Sequence, residues 1–385
     1  MIPYGRQDIS DEDIQAVVEV LRSDFITQGP AVQKFEQSIA EYCGAGHAIA
    51  VNSATSALHI ACLALGVGPG DLVWTSPITF VASSNCALYC GAEVDFVDID
   101  DATANMSVDA LASKLAEAET AGRLPKVVIP VHLCGTSCDM QAIRALGDRY
   151  GFKIIEDASH AIGGGYLNVP VGSCTYSDIT VFSFHPVKII TTGEGGMAVT
   201  NDAELAQRMD LLRSHGVTRE PSLMTHESDG PWYYQQVELG FNYRITDIQA
   251  ALGLSQMSRL DSFVARRHEI ADWYYEHLAP LPLQLPVRPA DSYSALHLYV
   301  VRVELEHTPR THREVFESLR AQGIGVNLHY IPVYAQPYYE RLGFKAGLCP
   351  TAERYYERAI SIPMFPNLTK EDLSKVRNAL EKAVS

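Results

Sequence analysis

The sequence predicts an α/β fold whose main layer is a sheet of parallel strands, and three observations carry that expectation. From residue 47 onward, short β-branched runs alternate with longer segments of helical period. A chain of 385 residues is long enough for two or three folding units. A Pro-rich passage, APLPLQLPVRPADS at 279–292, interrupts the alternation before it resumes. The expected division is 1–278, with N-terminal helices and the larger unit, and 279–385, a smaller C-terminal unit.

Two helices open the chain. Ser10 and Asp13 stand in capping-box spacing before DEDIQAVVEVLRS, and AVQKFEQSIAEYCG follows the loop DFITQGP. The strand and helix pairs then read HAIAVN with SALHIACLALG, DLVWTS with TFVASSNCALYCG, AEVDFVDI with SVDALASKLAEAE, and KVVIPV with DMQAIRALGDRYG, closing on FKIIED. Sheets of this kind place ligands outside the carboxyl ends of their strands, so the polar residues just after each run are the first candidates for function. Beyond residue 200 come the helix DAELAQRMDLLRSHG and one long amphipathic stretch, ITDIQAALGLSQMSRLDSFVARRHEIADWYYEHL. After the Pro-rich passage the alternation continues through LYVVRVEL, HREVFESLRAQG and IGVNLHYIP to two closing helices.

Composition narrows the function. Apolar residues make up 47% and charged residues 20%, which excludes disorder and fibrous repeats. The balance of 30 basic against 46 acidic side chains gives a net charge of -16, so neither nucleic acid nor an anionic membrane is an expected partner. An anionic ligand needs a focused local site. The acidic start MIPYGRQDISDEDIQ does not resemble an export leader, and runs such as Ala57–Leu65 fall far short of the ~20 apolar residues of a membrane span. Eight cysteines are too sparse for a disulfide framework, and a cytoplasmic protein is expected. Cys86/Cys90 and Cys134/Cys138 have C-x-x-x-C spacing without the remaining ligands of a zinc site, so no metal is expected.

No P-loop, H-E-x-x-H or G-x-S-x-G motif is present, and GVGPGD at 66–71 follows a helix and precedes a strand, the order of a turn rather than a dinucleotide loop. VNSATSALHIACLAL (51–65) passes from a strand end through small polar residues straight into a helix. Free N–H groups and the positive end of the helix dipole meet there, an arrangement suited to phosphate, to which Thr55 and Ser56 add hydroxyls. An ordinary N-cap explains the same residues about as well. KIIED ends in Asp157 and runs into ASHA, placing a carboxylate and His160 at the sheet edge, although an acid there is often a plain loop residue. In FSFHPVKIITTGEGG (182–196), Lys188 lies in apolar and hydroxylic surroundings; desolvation there lowers an amine's pKa and lets it attack a carbonyl, whereas most lysines in loops are surface residues. TSPITFVASSN (75–85) offers Phe80 as an aromatic face. A lysine, an acid for a pyridine nitrogen, an anion site and an aromatic face are together what pyridoxal phosphate requires.

The ordered set NSATSAL, PITFVAS, EDASHA, FSFHPVKIITTGEGG, RSHG, ELGFNYRITDIQAALGLSQM and HYIPVY, spread over nearly the whole chain, resembles the DegT-type family of nucleotide-sugar aminotransferases. Within that family, TQGP, NSATSAL, TFVA and GLSQM are most similar to the branch serving pseudaminic acid biosynthesis. The resemblance implies fold type I of the pyridoxal enzymes, with a mostly parallel seven-stranded sheet in a large domain, a smaller C-terminal α/β domain, and a homodimer with active sites at the subunit interface. It implies that Lys188 is catalytic and binds pyridoxal 5'-phosphate, that Asp157 partners the pyridine nitrogen with His160 as a companion, and that Ala54, Thr55, Ser56 and Ser183 surround the phosphate. Phe80 is expected to cover the ring, and the resemblance implies that Asn242 reaches the neighbouring subunit's phosphate. Tyr4, Asp24, Phe25, Ile26, Thr27, His329 and Tyr330, with Ala54, Ser183 and Asn242, align with segments that contact substrate. One branch of the family carries histidine in place of the lysine and dehydrates its substrates; Lys188 favours amino transfer.

The reaction this implies moves an amino group from an amino acid, with glutamate as the expected donor, to carbon 4 of a UDP-linked 2-acetamido-2,6-dideoxy-4-keto hexose. Another nucleotide-linked keto sugar, as on bacillosamine or perosamine routes, is the alternative within the family. Two readings come from other classes. The Asp98–Ile99–Asp100 triplet suggests a metal-dependent glycosyltransferase, although turn chemistry accounts for it at least as well. A cofactor-binding regulator without turnover is disfavoured by the acidic balance.

Overall fold

Strands too short to hide their backbone alone are stable when helices cover both faces of the sheet they build. That is the arrangement in the computed structural model, which describes residues 1–385. The strands are β1 (His47–Val51), β2 (Leu72–Thr75), β3 (Glu93–Phe96), β4 (Val127–Ile129), β5 (Lys153–Asp157), β6 (Ile179–Ser183) and β7 (Gly196–Thr200). They form one seven-stranded sheet in the order β1-β7-β6-β5-β4-β2-β3. Only β7 is antiparallel to its neighbours, β1 and β6. The other pairings are parallel. Every residue of β6 and β7 is buried. These two strands flank the lysine-bearing segment and were not among the runs that periodicity picked out.

The helices of this region are α1 (Asp11–Leu21), α2 (Pro30–Cys43), α3 (Ala54–Ala64), α4 (Ala82–Tyr89), α5 (Val108–Ala121), α6 (Met140–Tyr150), α7 (Ala203–Arg213), α8 (Asp247–Met257) and α9 (Leu260–Leu278). The capping box of α1 forms as its spacing requires, with Ser10 and Asp13 bonded reciprocally. Asp13 is fully buried because it also accepts hydrogen bonds from Ser255, Gln256 and Arg259, which ties α1 to the end of α8. The long amphipathic stretch is therefore two helices. It breaks at Ser258–Arg259, where the arginine turns aside to hold Asp8 and Asp13.

After α9, strands β8 (Leu283–Gln284), β9 (Tyr299–Val303) and β10 (Ala359–Ile362) form an antiparallel sheet against which α10 (His312–Ala321) and α13 (Lys370–Val384) pack, whereas α11 (Pro337–Arg341) and α12 (Pro350–Tyr356) lie against the core of the large sheet. The end of the chain thus holds a strand as well as helices. IGVNLHYIP forms no strand, because its backbone is paired elsewhere: Gly325 N–H donates to the Ile2 carbonyl, and Asn327 pairs with Ser361. A Cβ on Gly325 would stand 2.9 Å from the Ile2 carbonyl oxygen, so glycine permits this close approach. The N-terminus is thereby pinned to the C-terminal region, and Tyr4 is carried to the edge of the large sheet. No helix is long and apolar enough to cross a membrane.

Candidate active site

A cavity of about 620 Å³ opens where the parallel strands end. Asp157 closes β5, Ser183 closes β6, and Thr79, Phe80 and Ser83 follow β2. Tyr4, Asn327, His329 and Tyr330 form the facing wall.

The α3 end of the cavity is built for an anion. Ser53 is the N-cap, its hydroxyl accepting from the Ser56 N–H at 3.1 Å. Ala54 and Thr55 line the cavity in the first turn, where backbone N–H groups have no intrahelical acceptor. The positive end of the helix dipole adds to them. β7 packs so close behind that a Cβ on Gly196 would sit 2.5 Å from the Ala54 nitrogen. Ser56 differs from the sequence reading. Its hydroxyl donates to Asn52 Oδ1 at 2.7 Å and it lies outside the cavity wall, so it locks the cap rather than presenting a donor.

Lys188 reaches the cavity from the loop between β6 and β7. Burial lowers its amine from the usual 10.5 to about 8, against a smaller upward pull from the Asp157 carboxylate. Asp157 is 4% exposed and accepts hydrogen bonds from the Ser83 hydroxyl at 2.6 Å and the Ser159 N–H at 3.1 Å. Phe80 lines the cavity mouth, its ring 6.4 Å from that of Tyr330.

His160 is buried, with Nδ1 accepting from the Cys134 N–H at 3.3 Å and Nε2 3.4 Å from the Tyr330 hydroxyl. That pairing makes Nε2 the protonated nitrogen. His297, which sequence reasoning missed, lies with its ring 4.4 Å from that of His160, tilted by 48°. Burial, with the Lys188 charge nearby, holds both rings well below the usual histidine range, so both are neutral. His329 lines the wall, but its nitrogens are committed: Nδ1 to the Ser361 hydroxyl at 2.7 Å and Nε2 to the Asn327 amide at 3.3 Å. Burial lowers it to about 4. Its ring nitrogens are thus not free, while Asn327, Tyr330 and Tyr4 line the same cavity.

Thr79 and Ser83 lie within TSPITFVASSN, Asn327 two residues before HYIPVY, and His297 one residue before LYVVRVEL. Only their side chains' hydrogen bonds and burial set them apart. Other expected residues stand away from the cavity. Asn242 is exposed and pairs through its backbone with Ser214, and Asp24, Phe25, Ile26 and Thr27 are exposed beside α8. The Asp98 carboxylate accepts the Thr351 and Ala352 N–H groups at the start of α12, and Asp100 caps the turn at Ala102–Thr103. That triplet is a structural joint, and the glycosyltransferase reading loses its motive.

Comparison with known proteins agrees with this geometry. Residues 7–381 match the model of the DegT/DnrJ/EryC1/StrS aminotransferase family. The spore coat polysaccharide biosynthesis protein SpsC of Bacillus subtilis is 40% identical over 386 residues, covering 100% of this chain and 97% of SpsC. Spr1654 of Streptococcus pneumoniae, assigned as a sugar aminotransferase and solved in its PMP form, superposes with a TM-score of 0.91 at 30% identity over 100% of this chain and 99% of its own. Helicobacter pylori PseC, an aminotransferase involved in pseudaminic acid biosynthesis, does so at 0.90 with 31% identity, again over 100% and 99%.

Proposed function

The chain belongs to the DegT/DnrJ/EryC1/StrS aminotransferase family, and on that premise we propose that it transfers an amino group from glutamate to carbon 4 of a UDP-linked 2-acetamido-2,6-dideoxy-4-keto hexose, on a route to pseudaminic acid. The fold is fold type I of the pyridoxal enzymes, the class is sugar aminotransferase, and the family's cofactor is pyridoxal 5'-phosphate.

The residues present fit that cofactor. The Ala54 and Thr55 amides with the Ser183 hydroxyl would hold its phosphate, Asp157 its ring nitrogen, Phe80 its ring face and Lys188 its reactive carbon. The closeness of β7 to the α3 terminus, which leaves no room for a side chain at 196, keeps those amides bare. When bound, the cofactor supplies a carbonyl that takes up an amino group and a ring that accepts electrons.

The chain's own contribution is proton handling and orientation. With a pKa near 8, the Lys188 amine takes up and returns a proton near neutral pH without a large cost in either direction. Asp157 would keep a proton on the cofactor's ring nitrogen. The neutral rings of His160 and His297 add no positive charge behind the amine. Tyr4, Asn327 and Tyr330, which line the same cavity as the lysine, offer the hydroxyls and amide that a sugar requires. Donor and acceptor use one cavity in turn, so ping-pong kinetics are expected.

The observation that carries the reading is this single cavity with a low-pKa lysine and a buried carboxylate on one side and a polar aromatic wall on the other. In a homodimer, the exposed Asn242 and Asp24–Thr27 would serve the partner's site, which is how we interpret their distance from this one. The likeness to SpsC supports polysaccharide precursors more broadly, so the sugar is the point to test. Enzyme carrying the amine form of the cofactor, mixed with a panel of UDP- and dTDP-linked keto sugars, should return to the aldehyde spectrum fastest with the UDP-linked 4-keto acetamido sugar. Faster return with a dTDP-linked sugar lacking the acetamido group would replace that substrate.

A further inference from the structure

Asp157 is held by a hydroxyl that is itself held by another. The Ser83 oxygen lies 2.6 Å from Asp157 Oδ2, and the Thr79 hydroxyl lies 2.6 Å from the Ser83 oxygen. All three residues are buried, at 4% exposure or less. The direction of the chain follows from counting protons. A carboxylate only accepts, so the one hydroxyl proton of Ser83 goes to Oδ2, and the Ser83 oxygen then accepts the proton of Thr79. The other acceptor within reach of Ser83, the Phe80 carbonyl, is farther at 3.3 Å. Donation thus runs one way, from Thr79 through Ser83 to Asp157, and each bond polarises the next.

The two hydroxyls come from a different part of the chain than the carboxylate. Thr79 lies in the loop after β2 and Ser83 in the first turn of α4, whereas Asp157 ends β5. The adjacent hydroxyl of Ser84 points elsewhere, to Tyr339 of α11 at 2.6 Å. The Ser159 N–H, from the loop of Asp157 itself, fixes only Oδ1. Without Ser83, Oδ2 would be buried with no donor from the chain and the carboxylate free to rotate.

We propose that Ser83, backed by Thr79, is a positioning residue that fixes the orientation of the Asp157 carboxylate toward the cofactor's ring nitrogen. The proposal rests on the role given to Asp157 above. Because that carboxylate serves both halves of the reaction, its support must matter equally to both, unlike a contact made only by one substrate.

The test uses the holoenzyme, with rates expressed per mole of bound cofactor. Ser83→Ala should lower kcat in both half-reactions by about tenfold, the worth of one hydrogen bond to a charged group, with KM for glutamate and keto sugar within about twofold. Thr79→Val should do the same more weakly, by about threefold. Ser84→Ala, which removes the hydroxyl facing Tyr339, should leave kcat unchanged and controls for damage to α4. Fluorescence titration of the apoenzymes with pyridoxal phosphate gives a readout apart from turnover: affinity should weaken about threefold or more in Ser83→Ala and stay unchanged in Ser84→Ala. Wild-type kcat in Ser83→Ala, or a loss confined to one half-reaction, would overturn the proposal. If Ser83→Ala fails to fold, Thr79→Val decides, and unchanged rates there are fatal. Asp157→Asn separates the two claims: turnover near wild type would remove the role of Asp157 itself, whereas a slow Asp157→Asn beside a normal Ser83→Ala removes only the support by Ser83.

Discussion

The Asp157 carboxylate raises the proton affinity of the Lys188 amine, yet burial of that amine outweighs it and leaves the pKa at about 8. The lysine is thus poised between its two protonation states near physiological pH, which is what a residue that both accepts and returns a proton needs.

That balance can be measured in the apoenzyme. Competitive labelling of amines should show Lys188 reacting with a midpoint near pH 8, well below a surface lysine. Asp157→Asn removes the upward pull, so the midpoint should fall further. Stability should follow the same group. Between about 8 and the ordinary 10.5 the unfolded chain binds the proton that the folded chain has lost, so this lysine's contribution rises with pH across that window, and below about 8 the full cost of burying the charge is present. Lys188→Met should flatten the rise. A labelling midpoint near 10.5 would remove the basis for the proton-shuttling role.

Gly196 is the second test. A methyl group there would lie 2.5 Å from the Ala54 nitrogen and 2.5 Å from the Ser53 carbonyl carbon, so β7 and the start of α3 must separate. Gly196→Ala should therefore weaken pyridoxal phosphate binding by about tenfold or more, the equivalent of losing one good anion contact. Fluorescence titration reads it. Wild-type affinity would show that the α3 terminus does not hold the phosphate.

His329 braces one wall of the cavity. Its ring lies 5.3 Å from Tyr4 and 4.9 Å from Tyr330, and it satisfies the fully buried Ser361 hydroxyl. His329→Ala should cost about 2 kcal/mol in denaturant unfolding, from the space left and the orphaned hydroxyl. It should also slow the keto sugar half-reaction more than the glutamate half-reaction, because Tyr4 and Tyr330 lose their support. The acid limb of stability carries a second signature. With the folded pKa near 4 and the unfolded value near 6.5, the unfolded chain binds more protons between them, so stability from this group is complete above about 6.5 and is lost as pH falls toward 4. His329→Asn should make that limb shallower. Equal losses in both half-reactions would assign His329 to packing alone.

How far the sequence reached can be seen in Asp157 and Ser83. A carboxylate at the end of an apolar strand in a parallel sheet lies where ligands bind, and Asp157, Lys188, Ala54, Thr55, Phe80 and Ser183 meet in one cavity as their positions after strand ends imply. Ser83 carries no such mark. It is one of two consecutive serines in a short helix, and only the rotation of α4 decides that Ser83 meets Asp157 while Ser84 meets Tyr339. Similarly, β7 reads as the tail of a glycine-rich turn, and its antiparallel insertion between β1 and β6 is a tertiary choice that local periodicity does not encode. Tyr4 reaches the site because the backbone of Ile2 is bonded to Gly323 and Gly325 and its own carbonyl accepts from the Met364 N–H, pairings more than three hundred residues distant along the chain.

Asn242 lies outside the cavity of its own chain, so a role in the site requires a second subunit. Lys188→Ala and Asn242→Ala proteins, each inactive, should regain up to about a quarter of wild-type activity when subunits exchange, because one of the two sites in a mixed dimer carries neither substitution. No recovery after exchange has been demonstrated by mass spectrometry would place Asn242 in its own chain's stability instead.

The central claim, amino transfer from glutamate to carbon 4 of a nucleotide-linked keto sugar, is tested most directly by following the nitrogen. The holoenzyme would be given glutamate labelled with nitrogen-15 and the UDP-linked 2-acetamido-2,6-dideoxy-4-keto hexose, and the product examined by NMR. The account predicts a sugar still joined to UDP, with the labelled nitrogen bonded to carbon 4 and 2-oxoglutarate formed in equal amount. Unlabelled sugar beside intact glutamate, or label on any other carbon, would contradict it.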